Sequence, residues 1–166
     1  MKTKFLAMLL VVIFFGCTKH EPTIMTAQEQ EVAKKEIRAI VDQILQNANK
    51  MDAEALLQSY SNSPDFLLLN TDGTMVDFQG AKNGTIEIMK GLSSLKYTTI
   101  KDEFRFLPDN LVICAWLGKC EMTLKTGENM KNDIFGVTLV FSKIDNQWKV
   151  IYSHESSLPP VQVKTE

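Results

Sequence analysis

The stretch DIFGVTLVFSKI, at positions 133–144, has the composition of one long β-strand. Side chains in a strand alternate between the two faces of a sheet. Both alternating sets are largely apolar here, the first being Phe135, Val137, Leu139 and Phe141 and the second Ile134, Gly136, Thr138 and Val140. A strand with one face in water would carry polar residues at every second position. We therefore expect both faces of this sheet to be covered, the outer one most simply by a second copy of the chain.

Three further strands are predicted around this one, at 97–107, 111–124 and 147–156. Short segments containing Asn, Asp or Gly separate the four strands, which is typical of hairpin connections. The second half of the chain is therefore predicted to form an antiparallel meander.

Helices are predicted before the meander. Thr26 and Glu29 have the spacing of a capping box, and apolar residues then recur every three or four positions, which predicts a helix of about 24 residues. Asp52 is expected to cap a second, short helix. A short strand is predicted at 66–69 and a weak helix at 79–92. Helices followed by antiparallel strands indicate an α+β domain.

Length, charge and cysteine spacing limit the function classes. The 166 residues suit a single domain, and 18 Lys and Arg against 20 Asp and Glu do not suit nucleic-acid binding. Cys114 and Cys120 fall in one predicted strand, about 20 Å apart, whereas a disulfide needs Cα atoms within about 7 Å. With two histidines and no CxxC motif or Cys/His cluster, we expect no metal site and no cofactor.

The N-terminus has the pattern of an export signal, with Lys2 and Lys4, an apolar run at 5–15, and then Gly16 and Cys17. A helix of eleven residues reaches about 16 Å, which is too short for a hydrocarbon core of about 30 Å. The residues FFGC at 14–17 resemble a bacterial lipobox. This resemblance implies that Cys17 carries a lipid that anchors the protein in the bacterial cell envelope. The alternative is a secreted or periplasmic protein with an incidental cysteine.

Two motifs, together with the order of elements, resemble the nuclear transport factor 2-like superfamily and in particular its SnoaL-like branch. The first motif is KMDAEALLQSY at 50–60, which runs on to PDF at 64–66, and the second is QWKVIYSHES at 147–156. Tyr152 stands where the family's second motif has the first of two histidines. The resemblance implies a cone in which helices close against a strongly curved antiparallel sheet, with a pocket inside and homodimerisation through the sheet. The expected plan is a signal peptide at 1–16, a lipidated cysteine and tether at 17–26, a SnoaL-like domain at 27–158 and a flexible tail at 159–166.

The candidate site follows from strict alternation in two strands. In the last strand, Trp148, Val150, Tyr152 and His154 share one face, which is mostly apolar and is predicted to point inward. In the strand at 97–107, Asp102 shares a face with phenylalanines, where it needs a partner or a raised pKa because burial of an unpaired charge is costly.

We hypothesise that Asp102 and His154 meet in a pocket, where such a pair could transfer a proton. The expected lining residues are Tyr60, Phe66, Phe104, Trp116 and Tyr152. The structural alternative is that Asp102 caps a β-bulge near the rim and His154 bonds a backbone carbonyl or a helix end. A register error of one residue would exchange the two faces.

Three functions are compatible with these patterns. The favoured one is a non-catalytic, lipid-anchored envelope protein whose conical pocket binds a small apolar or amphipathic ligand. The second is a cofactor-independent isomerase, cyclase or dehydratase that uses Asp102 and His154. The third is a structural or interaction module that docks another envelope component. The fold does not select among them.

Overall fold

The computed structural model describes residues 22–163, which form three helices and seven strands. The helices are α1 (Ala27–Asn49), α2 (Ala53–Leu57) and α3 (Phe78–Gly91). The strands are β1 (Leu67–Leu69), β2 (Met75–Val76), β3 (Leu92–Leu107), β4 (Leu111–Leu124), β5 (Asn129–Ile144), β6 (Gln147–Ser157) and β7 (Val161–Gln162). The predicted signal peptide and Cys17 lie outside the described residues. No helix within 22–163 combines the length and the hydropathy needed to cross a bilayer.

The first helix begins and ends where its sequence predicts. The Glu29 backbone N–H donates to the Thr26 hydroxyl at 3.3 Å, and the Thr26 N–H donates to the Glu29 carboxylate at 2.7 Å, which completes the predicted capping box. One face of α1 is buried through Ala33, Ile37, Val41, Ile44 and Ala48. After Met51 turns the chain, Asp52 caps α2 by accepting from the Ala55 N–H at 3.0 Å.

The strands form one sheet in the order β2-β1-β6-β5-β4-β3, and β7 pairs with the start of β5 beyond the end of β6. All pairings are antiparallel except that of β1 with β6. The predicted meander is confirmed as β3 to β6. The residues predicted to form a flexible tail include 161–162, which instead pair with Met130 and Lys131, because the edge of β5 offers free backbone groups there.

Four irregularities bend the meander, and each hairpin pairing has at least one. In the β3–β4 pair the register shifts between Leu92 and Ser94 and between Thr99 and Lys101. It also shifts between Gly118 and Cys120 in the β4–β5 pair and between Val140 and Phe141 in the β5–β6 pair. A bulge bends its strand and increases the local twist. The sheet therefore curves, and its concave face holds the core against α1. The predicted α+β cone, with N-terminal helices on a curved antiparallel sheet, is confirmed.

Candidate functional site

A bulge in β6 decides which side chains reach the interior. Val140 pairs with Tyr152 and Phe141 pairs with Val150, so Ile151 is an extra residue on β6. An extra residue exchanges the two faces of everything that follows it. The predicted inward orientation is therefore correct for Trp148 and Val150, which are buried. It is wrong for the residues that follow Ile151.

His154 and Tyr152 lie on the outer face of the sheet. His154 pairs with Thr138 of β5, whose partner on β4 is the exposed Ala115, and the His154 side chain is itself exposed. Tyr152 pairs with Val140 and with Leu67 of β1. The expected inward orientation of both residues is wrong, and the physical cause is the additional residue at Ile151.

Ser153 and Glu155 take the inward positions instead. Ser153 is 1% exposed in the core, next to Leu139. Glu155 pairs with Val137, which pairs with Trp116, which pairs with Asp102. These four residues form a row across the concave face, which we call the Asp102–Glu155 row.

At its β3 end, the row is closed by an ion pair. Arg38 of α1 donates from Nε to Asp102 Oδ2 at 3.0 Å and from Nη2 to Oδ1. The Arg38 guanidinium also lies 5.4 Å from the centre of the Phe104 ring. Asp102 thus has the partner that its apolar surroundings require, but the partner is an arginine. The expected meeting with His154 is wrong, since His154 projects from the opposite face and lies three strands away.

Near the Glu155 end, a cavity of about 170 Å³ lies between the concave face and the three helices. Apolar side chains provide most of its wall. The lining residues are Ile44, Leu45, Ala48, Leu56, Leu57, Tyr60, Leu68, Ala81, Thr85, Ile88, Met89, Leu95, Tyr97, Trp116, Phe135, Val137 and Glu155.

Two of the five expected lining residues reach this cavity, namely Tyr60 and Trp116. Phe66 packs edge-on behind Tyr60, with ring centroids 5.8 Å apart, and does not line it. Phe104 is buried farther along the sheet, beneath Arg38. Tyr152 is on the outer face, as described above.

Three aromatic rings form one wall of the cavity. The Tyr97 ring centre is 6.2 Å from that of Trp116 and 5.6 Å from that of Phe135, and the last two are 6.4 Å apart. The indole N–H of Trp116 donates to the Thr99 hydroxyl at 2.9 Å. A Cβ at Gly118 would lie 2.2 Å from the Trp116 ring, so only glycine leaves room for this indole orientation.

Glu155 supplies the carboxylate of the cavity. Its carboxylate makes no hydrogen bond or ion pair with any residue in 22–163. Burial raises the pKa of Glu155 from 4.5 to about 6. Burial also raises the pKa of the Tyr60 and Tyr97 hydroxyls, and the nearby Glu155 charge raises both further.

The thiols and possible metal ligands add little chemistry. Burial raises the pKa of Cys114 to about 12 and also raises that of Cys120, so both thiols are neutral near pH 7. Among residues 22–163, no three His, Cys, Asp or Glu side chains lie close enough together to hold a metal ion.

Solved structures share this fold at low sequence identity. A Novosphingobium aromaticivorans protein named as a scytalone dehydratase matches with a TM-score of 0.75 and 9% identity, covering 85% of this chain and 94% of its own. Hexachlorocyclohexane dehydrochlorinase (LinA) type 2 matches with a TM-score of 0.73 and 10% identity, covering 84% and 94%. A nuclear transport factor 2-like superfamily protein from Salmonella enterica serovar Typhimurium matches with a TM-score of 0.70 and 18% identity, covering 78% and 94%.

The sequence itself places the chain in a family. No curated protein matches it significantly. The profile of the SnoaL-like domain matches residues 37–162, which include most of α1 and every strand. The chain therefore belongs to the SnoaL-like domain family, with the nuclear transport factor 2-like fold.

Proposed function

We propose that this protein binds a compact, largely apolar small molecule in the cavity between its helices and the concave face of its sheet. The observation that carries the proposal is the cavity itself, with a volume of about 170 Å³ and a mostly apolar wall. Ligand pockets are typically apolar concavities with a few polar groups that fix orientation. Glu155 and the two tyrosine hydroxyls are such groups here.

The cavity volume limits the size of the ligand. An apolar protein cavity of about 150 Å³ holds one benzene molecule. A volume of about 170 Å³ therefore suits a ligand of one ring or a short branched chain. Ile88 and Met89 of α3 belong to the cavity wall, so a larger ligand would extend past α3 or displace it.

The test is to fill the cavity. Ala81 is 4% exposed and lines the cavity, so Ala81→Leu would occupy part of it. Ala39 lies on the exposed face of α1, and Ala39→Leu is the matched control. We expect benzene and toluene to shift the NMR signals of cavity residues in the wild type and in Ala39→Leu but not in Ala81→Leu. Equal shifts in all three proteins, or none in the wild type, would contradict the proposal.

We also propose that Cys17 carries a lipid that holds this domain at the bacterial cell envelope. The support is the pattern of Lys2, Lys4, the apolar run at 5–15 and Gly16-Cys17. The Asp109 N–H donates to the Thr23 carbonyl at 2.8 Å, which fixes the chain to the β3–β4 turn six residues after Cys17. Cys17→Ser should move the protein from the membrane fraction to the soluble fraction of its host. Unchanged membrane association would contradict the anchor.

A second candidate function is proton transfer at a bound substrate, with Glu155 as the base. The observation that favours it is the pKa of Glu155, raised to about 6, because a general base works best when its pKa lies near the working pH. A screen with ketone and hydroxy-acyl compounds that fit the cavity tests it. Turnover that is lost in Glu155→Gln and kept in His154→Gln would support this candidate, and turnover unaffected by Glu155→Gln would exclude it.

We propose that the partner of this protein is a second copy of the same chain, bound through the outer face of the sheet. Leu117 and Ile134 project from that face and are 37% and 54% exposed. Apolar side chains on an exposed sheet face favour burial against another surface. Ile134→Lys should convert a dimer to a monomer in analytical ultracentrifugation, and a wild-type protein that is monomeric at all concentrations would contradict this proposal.

A further inference from the structure

Within the described part of the chain, the Glu155 carboxylate in the cavity has no ion-pair partner of the kind that Arg38 provides for Asp102. The Asp102 carboxylate receives two hydrogen bonds from Arg38, whereas the Glu155 carboxylate receives none from residues 22–163. An ionised carboxylate in apolar surroundings is costly unless a positive or hydrogen-bonding partner meets it. No side chain within residues 22–163 supplies such a partner to the Glu155 carboxylate, and a ligand in the cavity can supply one.

The other polar and aromatic groups of the cavity favour a positive partner. Four aromatic residues line the same cavity as Glu155, namely Tyr60, Tyr97, Trp116 and Phe135. The faces of aromatic rings attract cations, and cages of such rings recognise ammonium groups. The same carboxylate disfavours anionic ligands, because like charges repel.

We propose that the ligand of this cavity is a small organic cation, an alkylammonium whose nitrogen lies against Glu155 and whose hydrocarbon part fills the apolar remainder. This inference rests on the proposed binding function, since it names the ligand class of the same cavity. A cavity of about 170 Å³ has room for a ligand of about benzene size, that is, about six non-hydrogen atoms.

Binding of such a cation depends on pH through Glu155. The titratable groups that face Glu155 are Tyr60, Tyr97 of β3 and Cys120 of β4, and burial raises the pKa of all three, so they stay neutral between pH 5 and pH 8. The cavity residues of α1, α3, β1 and β5 carry no ionisable side chain. Protonation of Glu155 at low pH removes the negative charge that attracts the ligand.

Three probes of equal size separate charge from shape. Cyclopentylammonium is a cation, cyclopentanol is a neutral donor, and methylcyclopentane is apolar, and each has six non-hydrogen atoms. NMR titration of the protein at pH 8 and pH 5 gives an affinity for each probe. Glu155→Gln keeps the shape of the side chain without its charge. His154→Gln, one residue away on the outer face, is the matched control.

We expect the wild type and His154→Gln to bind cyclopentylammonium about tenfold or more tightly than cyclopentanol at pH 8. The ratio of the two affinities should fall toward one in these proteins at pH 5. In Glu155→Gln it should be close to one at both pH values. Equal affinity for the amine and the alcohol at pH 8, or an amine preference that survives Glu155→Gln, would overturn the inference.

The same titration keeps the two proposals apart. If cyclopentanol and methylcyclopentane bind while the amine shows no preference, the inference fails and the binding function stands. If none of the three probes binds the wild type, the binding function fails and the inference with it.

Discussion

Asp102 and Glu155 lie at opposite ends of the Asp102–Glu155 row, and their carboxylates differ in whether another side chain pairs with them. Asp102 is 16% exposed and is held by Arg38, so it completes the packing between α1 and β3. Glu155 has no partner within residues 22–163 and borders a cavity. A paired carboxylate contributes to the fold. An unpaired one lowers the stability of the fold and is free to meet a ligand.

Displacing Trp116, in the middle of the Asp102–Glu155 row, should have the largest effect on the free energy of unfolding. In Gly118→Ala the new methyl group would meet the Trp116 ring at 2.2 Å and the Thr98 carbonyl oxygen at 2.6 Å. We expect urea unfolding to show a loss of about 1–3 kcal/mol, as for overpacked cores. Gly136→Ala is the control, since its nearest new contact is 3.7 Å away. An equal effect of both substitutions would refute the role of Gly118 in seating Trp116.

Removing the unpaired charge should stabilise the fold, with a definite pH dependence. The pKa of Glu155 is about 6 in the folded state and 4.5 as its ordinary value, so the folded state holds this proton more tightly. Stability is therefore lost as the pH rises from about 4.5 through about 6, and the full penalty is present above that range. One pKa unit corresponds to about 1.4 kcal/mol, so Glu155→Gln should be more stable than the wild type by about 1–2 kcal/mol at pH 8.

The measurement is urea unfolding of both proteins at pH 8 and at pH 4.5, where most of the difference should be lost. A Glu155→Gln protein that is less stable than the wild type at pH 8 would show that Glu155 has a stabilising partner. In that case the contrast with Asp102 would disappear.

Removing the partner of Asp102 should destabilise the fold by a smaller amount. Arg38→Met keeps the contact with Phe104 but leaves Asp102 without its hydrogen bonds. Because the Arg38 side chain is 47% exposed, water compensates part of the loss, and we expect about 1 kcal/mol at pH 7. Arg105→Met, on the exposed side of β3, should change the unfolding free energy by less than about 0.5 kcal/mol. If the two variants lose stability equally, the Arg38–Asp102 pair has no special role.

Much of the fold could be predicted because it is determined by local periodicity. The Thr26–Glu29 capping box and the apolar spacing of α1 are visible in the sequence, as are the four long strands and their turns. Two of the five residues expected in the pocket lining, Tyr60 and Trp116, lie at the cavity wall.

The site itself could not be predicted, because it depends on one inserted residue and one tertiary contact. Strict alternation selects His154, but the extra residue at Ile151 exchanges the faces and brings Glu155 inward. Nothing in the QWKVIYSHES motif marks Ile151 as the bulged position. Similarly, the spacing of apolar residues in α1 leaves Arg38 on the polar face of the helix, and only the packing of α1 on β3 brings it to Asp102.

The most direct measurement is an NMR titration of the side-chain carboxyl carbons of glutamate in the folded domain. One signal should titrate with a midpoint near 6, should be absent in Glu155→Gln, and should shift to lower pH when cyclopentylammonium is added. If no glutamate signal titrates near 6, Glu155 is solvated or already paired, and the cavity does not contain the unpaired carboxylate on which the proposed ligand class depends.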